Sequence, residues 1–167
     1  MDLKQTLKKL EQEQEFTKWK DKNRQTYFSY AFKIPQEMSD EEWHIGFYNK
    51  NNDKITTFVT DGNSVNVRHE EEMFKKEETK VNEIKIVNLK LGFDSILLKA
   101  SEFQKKNYPK DISVKTIAIL QNISDFGDVW NITYVTEAFN TLNMKIDASS
   151  GKVIEHKLTS IFSFRQN

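Results

Sequence analysis

Apolar positions change their spacing along this chain, and the changes mark out its elements. Leu3, Leu7 and Leu10 recur at helical spacing with no Gly or Pro between them, which predicts a helix over about 2–22. Phe16 and Trp19 fall off that stripe, so the helix either ends near them or packs on two sides. From Arg24 to Ile34 the period drops to two. Thr26, Phe28, Tyr30, Phe32 and Ile34 then share one face of a predicted strand, the face expected to cover the helix, with Ser29 and Lys33 on the other. Pro35 lacks an N–H, so it ends that strand or confines it to an edge. After the polar turn Ser39–Glu42, further strands are predicted at about 42–49, 54–60 and 64–69, with Asp61-Gly62 as the hairpin between the last two.

Between Glu70 and Lys80 five Glu and three Lys crowd eleven positions, which reads as a solvated linker or short helix and as the boundary between halves. Ile84, Ile86, Leu89 and Leu91 suggest an extended lead-in. A second helix follows from Phe93 to about Asn107, with Phe93, Ile96, Leu97, Ala100 and Phe103 on one stripe and Asp94 or Ser95 as candidate caps. Strands are then predicted at about 112–121, 129–136, 139–147 and 152–161, the last two joined through Ser149-Ser150-Gly151.

Set side by side, the halves repeat. Trp43-His-Ile-Gly-Phe-Tyr-Asn49 and Trp130-Asn-Ile-Thr-Tyr-Val-Thr136 each place Trp, Ile and an aromatic at alternate positions, 87 residues apart. Near that offset Tyr30 and Phe32 match Ile117 and Ile119, and Ile55 and Val59 match Leu142 and Ile146; Leu3, Leu7 and Leu10 match Phe93, Leu97 and Ala100 at an offset of 90. So long a period fits a duplicated small domain. The expected fold is α+β, with two tandem units over 1–75 and 76–167. Each is a helix laid on its own antiparallel sheet of about four strands.

The segment Ile146-Asp147-Ala148-Ser149-Ser150-Gly151-Lys152-Val153, the Trp-led strand at Trp130 and the helix ending in Lys105-Lys-Asn-Tyr-Pro109 carry a family likeness. Over about 90–161 the chain resembles a PepSY domain, whose usual ending is an apolar strand, Asp-Ala, small polar residues, Gly and a further apolar strand. The first half has Thr60-Asp61-Gly62-Asn63 at that place and joins the family only through the internal repeat. PepSY modules are linked to peptidase inhibition or regulation and carry no catalytic residues. The resemblance therefore implies a non-catalytic module that binds a protein or peptide, a peptidase among the candidate partners, with no site residue to carry over.

Composition adds limits. In 167 residues there are 12 Phe, 5 Tyr and 3 Trp, so the core is expected to lean on aromatics. Lys plus Arg and Asp plus Glu both number 25, leaving no broad field to gather nucleic acid or an anionic membrane. With no Cys, disulfides, thiolate nucleophiles and cysteine-bound metals are excluded. The polar run after Met1 is no signal core, which is compatible with the cytosol; an export segment ahead of the sequence would make the chain extracytoplasmic.

Each candidate chemistry meets a plainer reading. His44, His69 and His156 lie far apart without metal-ligand spacing, and are read as ordinary histidines, with no metal and no cofactor expected. Glu41-Glu42 and the pair Asp125 and Asp128 fall in predicted loops, and no nucleophile elbow exists, so no catalytic residue is assigned. Ser149-Ser-Gly-Lys152 joins strands instead of opening a helix, against a phosphate loop. Tyr27-Phe-Ser-Tyr-Ala-Phe32 beside Lys18, Lys20, Lys22 and Arg24 invites base stacking, but the aromatics are claimed by the core. Three leucines with Lys4, Lys8 and Lys9 make a thin membrane anchor. Two rivals remain open. One is a cystatin-like or nuclear-transport-factor-like binder or enzyme with a closed pocket between helix and sheet; the other is a purely structural spacer with merged sheets.

Overall fold

The computed structural model describes residues 2–61, 64–72 and 80–162. In chain order they form α1 (Leu3–Gln12), α2 (Gln14–Lys22), β1 (Thr26–Lys33), β2 (Trp43–Asn49), β3 (Lys54–Thr60) and β4 (Val65–Glu72). After the crossing come a 3₁₀ turn (Ile86–Asn88), α3 (Phe93–Asn107), β5 (Ser113–Ile123), β6 (Gly127–Thr136), β7 (Asn140–Asp147) and β8 (Val153–Ser160). All eight strands belong to one antiparallel sheet in the order β4-β3-β2-β1-β5-β6-β7-β8. This corrects the expectation of two tandem helix-plus-four-strand units with separate sheets. The first strand of each meander pairs with the other, Tyr30–Lys33 running against Gln121–Ala118, which closes their facing edges over those four residues. The layer beneath the helices is likewise shared: the Phe93 ring of α3 packs edge-on against Trp43 and tilted against Trp130, each with centroids 5.0 Å apart, and a single buried cluster runs from Leu3 to Ala148. Residues 73–79, within the predicted linker, and Gly62-Asn63 of the predicted hairpin lie outside the described residues.

The single helix expected over 2–22 is two. Glu13 takes an extended conformation (φ −70°, ψ 133°), which resets the phase of the apolar stripe. α1 buries Leu3, Leu7 and Leu10; α2 turns Phe16 and Trp19 onto Phe47 and Phe58, with ring centroids 5.0–5.8 Å apart. α3 starts after Gly92 with no side-chain cap, so neither Asp94 nor Ser95 caps it.

One register shift revises the predicted faces, and one longer hairpin revises the match between the halves. Phe28 pairs with Phe47, but Tyr30 pairs with Gly46, leaving Ser29 as a bulge. Phe28 therefore faces the helices, whereas Tyr30 and Phe32 turn to the opposite, open face, and Ala31 and Lys33 turn inward in their place. In the third strands Trp43 pairs with Thr60 and Ile45 with Phe58; Trp130 pairs with Ile146 and Ile132 with Met144. Thr60 and Phe58 are thus the counterparts of Ile146 and Met144. The expected match of Ile55 and Val59 to Leu142 and Ile146 is one residue out of step, because the first hairpin is one residue longer. Both hairpins end on a left-handed residue, Asp53 (φ 58°) and Phe139 (φ 57°).

Candidate binding hollow at the β1–β5 junction

β1 and β5 pair over four residues only. Beyond Tyr30 and Gln121 they part, while β5 continues against β6 as far as Ile123. The crossing segment fills the fork. Ile84 N–H donates to the Phe28 carbonyl at 2.9 Å, the Tyr27 hydroxyl donates to the Val81 carbonyl at 2.8 Å, and Asn82 Nδ2 donates to Ser124 Oγ at 3.2 Å. Ile84 reaches the core, whereas Val81 and Asn82 stay on the open face and wall one side of a hollow of about 830 Å³.

Its floor is apolar: Tyr30, Phe32, Ile55, Ile119 and Ile123, with Val81 on the wall. Tyr30 is held flat over Gly46, where a Cβ would come within 2.0 Å of its ring, and its hydroxyl pairs with Thr57 Oγ1 at 2.8 Å. Phe32 packs against His44 at 5.5 Å. Polar groups enter at defined points. The Ser29 hydroxyl donates to the Gly46 carbonyl at 3.1 Å, and Lys80 and Asp125 stand exposed at the rim with opposite charges. Gln121 lies at the fork itself, half-buried among the isoleucines. Among the described residues its side-chain amide has no hydrogen-bond partner. This size and this mixture of apolar lining with a few polar groups are those of a ligand site.

The candidates raised from sequence do not converge here. His44 pairs with Glu42 at 3.2 Å, and His156 accepts or donates at 2.6 Å to Tyr108 Oη in the other half; the His69 side chain lies outside the described residues. Asp125 borders the hollow, but Asp128 is buried, with its two carboxylate oxygens accepting from Asn122 and Asn88 at 2.7 Å each. Lys20 donates to Thr26 Oγ1 at 3.0 Å and lies over Phe47 on the helix face, and Arg24 pairs with Asp21, so these cations are apart from Tyr30 and Phe32. Asp147 Oδ1 accepts from Ser149 and Ser150, N–H and hydroxyl alike, at 2.6–3.1 Å, closing the hairpin turned by Gly151 (φ +71°). Burial pushes that carboxyl's pKa up, and the four hydrogen bonds outweigh it and hold the group below its ordinary value.

A second, smaller hollow of about 420 Å³ lies beside Trp43, bordered by Asp2, Asp94 and Lys33. Lys33 is 4% exposed, and its ammonium lies 4.9 Å from the Trp43 ring centroid. It donates to the carbonyls of Ser39, Asp40 and Glu42 at 2.8–2.9 Å. Burial lowers its pKa, against the pull of Asp40, Glu42 and Asp94. All three protons are used within the protein, which makes it a brace for the β1–β2 connection.

Sequence reading assigned no residue to the junction. The signal was present in β5, where Gln121 interrupts an otherwise apolar face formed by Ile117, Ile119 and Ile123. Only the pairing of β1 with β5 shows where that face lies.

Comparison with protein-family models gives no match, and comparison with curated proteins gives none. Among solved structures, the chain is similar to a Clostridium difficile 630 protein described as a putative lipoprotein. The TM-score is 0.54 at 12% identity, over 86% of this chain and 90% of that one. At that identity the likeness concerns the fold alone.

Proposed function

We propose that this chain is a non-catalytic binding module and that the hollow at the β1–β5 junction holds its partner. The observation that carries the reading is the hollow itself: about 830 Å³ over an apolar floor, lined also by the Gln121 side-chain amide, which has no hydrogen-bond partner among the described residues. The lining is mainly isoleucine, aromatic and amide side chains with Lys80 and Asp125 at the rim, and it suits a ligand held by contact and hydrogen bonding. A module of the PepSY kind, acting on a peptidase or another protein, is in keeping with such a site. The rival pocket between helices and sheet is disfavoured by the packing of that layer, where Ile45, Phe58, Ile96, Leu120 and Met144 are all fully buried.

Titration with the neutral apolar dye Nile red tests the reading. Wild-type protein is expected to bind it saturably, and Ile119→Lys, which directs a charge into the hollow, is expected to weaken binding at least roughly ten-fold. Ile154→Lys on the exposed edge strand β8 serves as control, and circular dichroism checks that each variant folds. Dye binding that is absent, or that survives Ile119→Lys unchanged, refutes the assignment of the hollow.

A further inference from the structure

From the placement of Gln121 we infer that the occupant is an uncharged, apolar stretch of peptide, whose backbone amide pairs with the Gln121 side chain; this rests on the hollow being the binding site. A carboxamide carries a donor and an acceptor side by side, the same pair that a peptide group presents, so one ligand amide satisfies both ends. A purely hydrocarbon ligand, such as an acyl chain, would cover Gln121 without offering either partner, and an unpaired amide taken out of water is a penalty against binding. The floor of Tyr30, Ile55, Ile119 and Ile123 accommodates apolar side chains. Charge on the ligand finds no net complement, because Lys80 and Asp125 at the rim oppose one another and the whole chain is neutral.

The arrangement also explains why the amide has no partner among the described residues. On β5 the positions flanking Gln121 on the open face are Ile119 and Ile123, which have nothing to donate, and across the junction it faces Tyr30, whose hydroxyl is engaged by Thr57. In the helix-facing row Asn122 has its partner in Asp128. Gln121 is thus a polar side chain lining an apolar hollow, and among the described residues its hydrogen-bonding groups are unengaged and available to a ligand.

The test uses the full chain and two probes: a blocked apolar hexapeptide, acetyl-Val-Leu-Val-Ala-Leu-Val-amide, and dodecanol. Side-chain NH₂ and backbone amide signals are followed by NMR during each titration. The expected result is that the peptide saturably shifts the Gln121 side-chain signals and those of Ile119–Ile123. Gln121→Leu is expected to weaken the peptide about five- to ten-fold, the worth of one amide hydrogen bond, and to strengthen dodecanol. Gln121→Glu, which keeps acceptors and loses the donor, is expected to weaken both; it also serves if the leucine variant fails to fold. Dodecanol binding with no peptide binding overturns the peptide assignment and leaves the hollow standing. Peptide shifts confined to the edge strands β4 and β8, or an affinity indifferent to both Gln121 variants, also overturn it. Binding of neither probe removes the hollow reading along with it.

Discussion

The two halves of this sheet are built around the same residue in the same place and surround it differently. Trp43 on β2 and Trp130 on β6 are 1% and 2% exposed, 6.1 Å apart, and share the ring of Phe93. Trp130 is flanked on its paired strands by Leu120 and Ile146, both fully buried and apolar. At the corresponding places beside Trp43 stand Lys33 and Thr60. The difference follows the connections. β5 and β6 are joined by the tight turn 124–126, which needs little from the core. The connection between β1 and β2 spans 34–42, and three of its carbonyls find their donor in Lys33. A long connection brings backbone groups to the core's edge that must be paired, and a lysine reaching in supplies the donors. One half thus spends a core position on its loop, and the other keeps that position for packing.

The largest effect is expected where the halves meet. Trp43→Ala and Trp130→Ala should each cost about 3–5 kcal/mol, the range for removing a large buried aromatic. Because Phe93 touches both rings, the double variant should be non-additive, with a coupling of roughly 0.5–3 kcal/mol. Calorimetry of the wild type should show one cooperative transition, in keeping with the shared core. Two separate transitions, with each Trp variant moving only one, would return the halves to the status of independent units.

How much of this was legible beforehand divides along the range of the interaction. Strand positions came within two residues because alternation is a local property, as in Trp43-His-Ile-Gly-Phe, except that β4 runs three residues past the expected 69 into the charged segment read as linker. The break at Glu13 was signalled by Phe16 and Trp19 leaving the leucine stripe, although the pattern alone left both explanations open. The merging of the sheets was raised only as part of the structural rival and could not be chosen, since β1 and β5 pair across 85–91 positions and nothing within either strand names its neighbour. The bulge at Ser29 was not legible, and there one extra residue exchanged Tyr30 and Phe32 for Ala31 and Lys33 on the core side. That unseen slip is what opened the hollow: aromatics assigned to the core became its floor.

A middle-sized effect should come from Lys33→Met, which keeps the apolar stem and removes the ammonium. It leaves three carbonyls of the 34–42 connection without their donor, at an expected cost of roughly 2–4 kcal/mol. The pH dependence sharpens the assignment. Burial holds the folded pKa of Lys33 below the ordinary 10.5, so in the interval between the two values the unfolded chain binds more protons. Its contribution to stability therefore rises with pH across that interval. Burial raises the pKa of Tyr134, which works in the opposite sense but is present in both proteins, so it cancels in the difference. Denaturant titrations from neutral to alkaline pH should show the gap between wild type and Lys33→Met widening as pH rises. A gap independent of pH would mean that the ammonium is no better solvated when unfolded.

The smallest effect has the opposite sign and bears on the other polar neighbour of Trp43. Thr60 Oγ1 is buried with no hydrogen-bond partner, the single such side-chain atom among the described residues, and its counterpart in the second half is Ile146. Unlike Lys33, this hydroxyl serves no loop: it was taken out of water and given nothing in return. Replacing an unpaired hydroxyl by a methyl of similar shape removes that penalty without opening a cavity. Thr60→Val should accordingly raise stability by about 1 kcal/mol, read as a higher denaturation midpoint at unchanged slope. The same exchange at Thr57, whose hydroxyl is engaged by Tyr30, should instead lower stability by a similar amount. If both variants moved in the same direction, side-chain volume and not hydrogen bonding would govern these positions. The polar surroundings of Trp43 would then be an accident of drift and not a consequence of its longer connection.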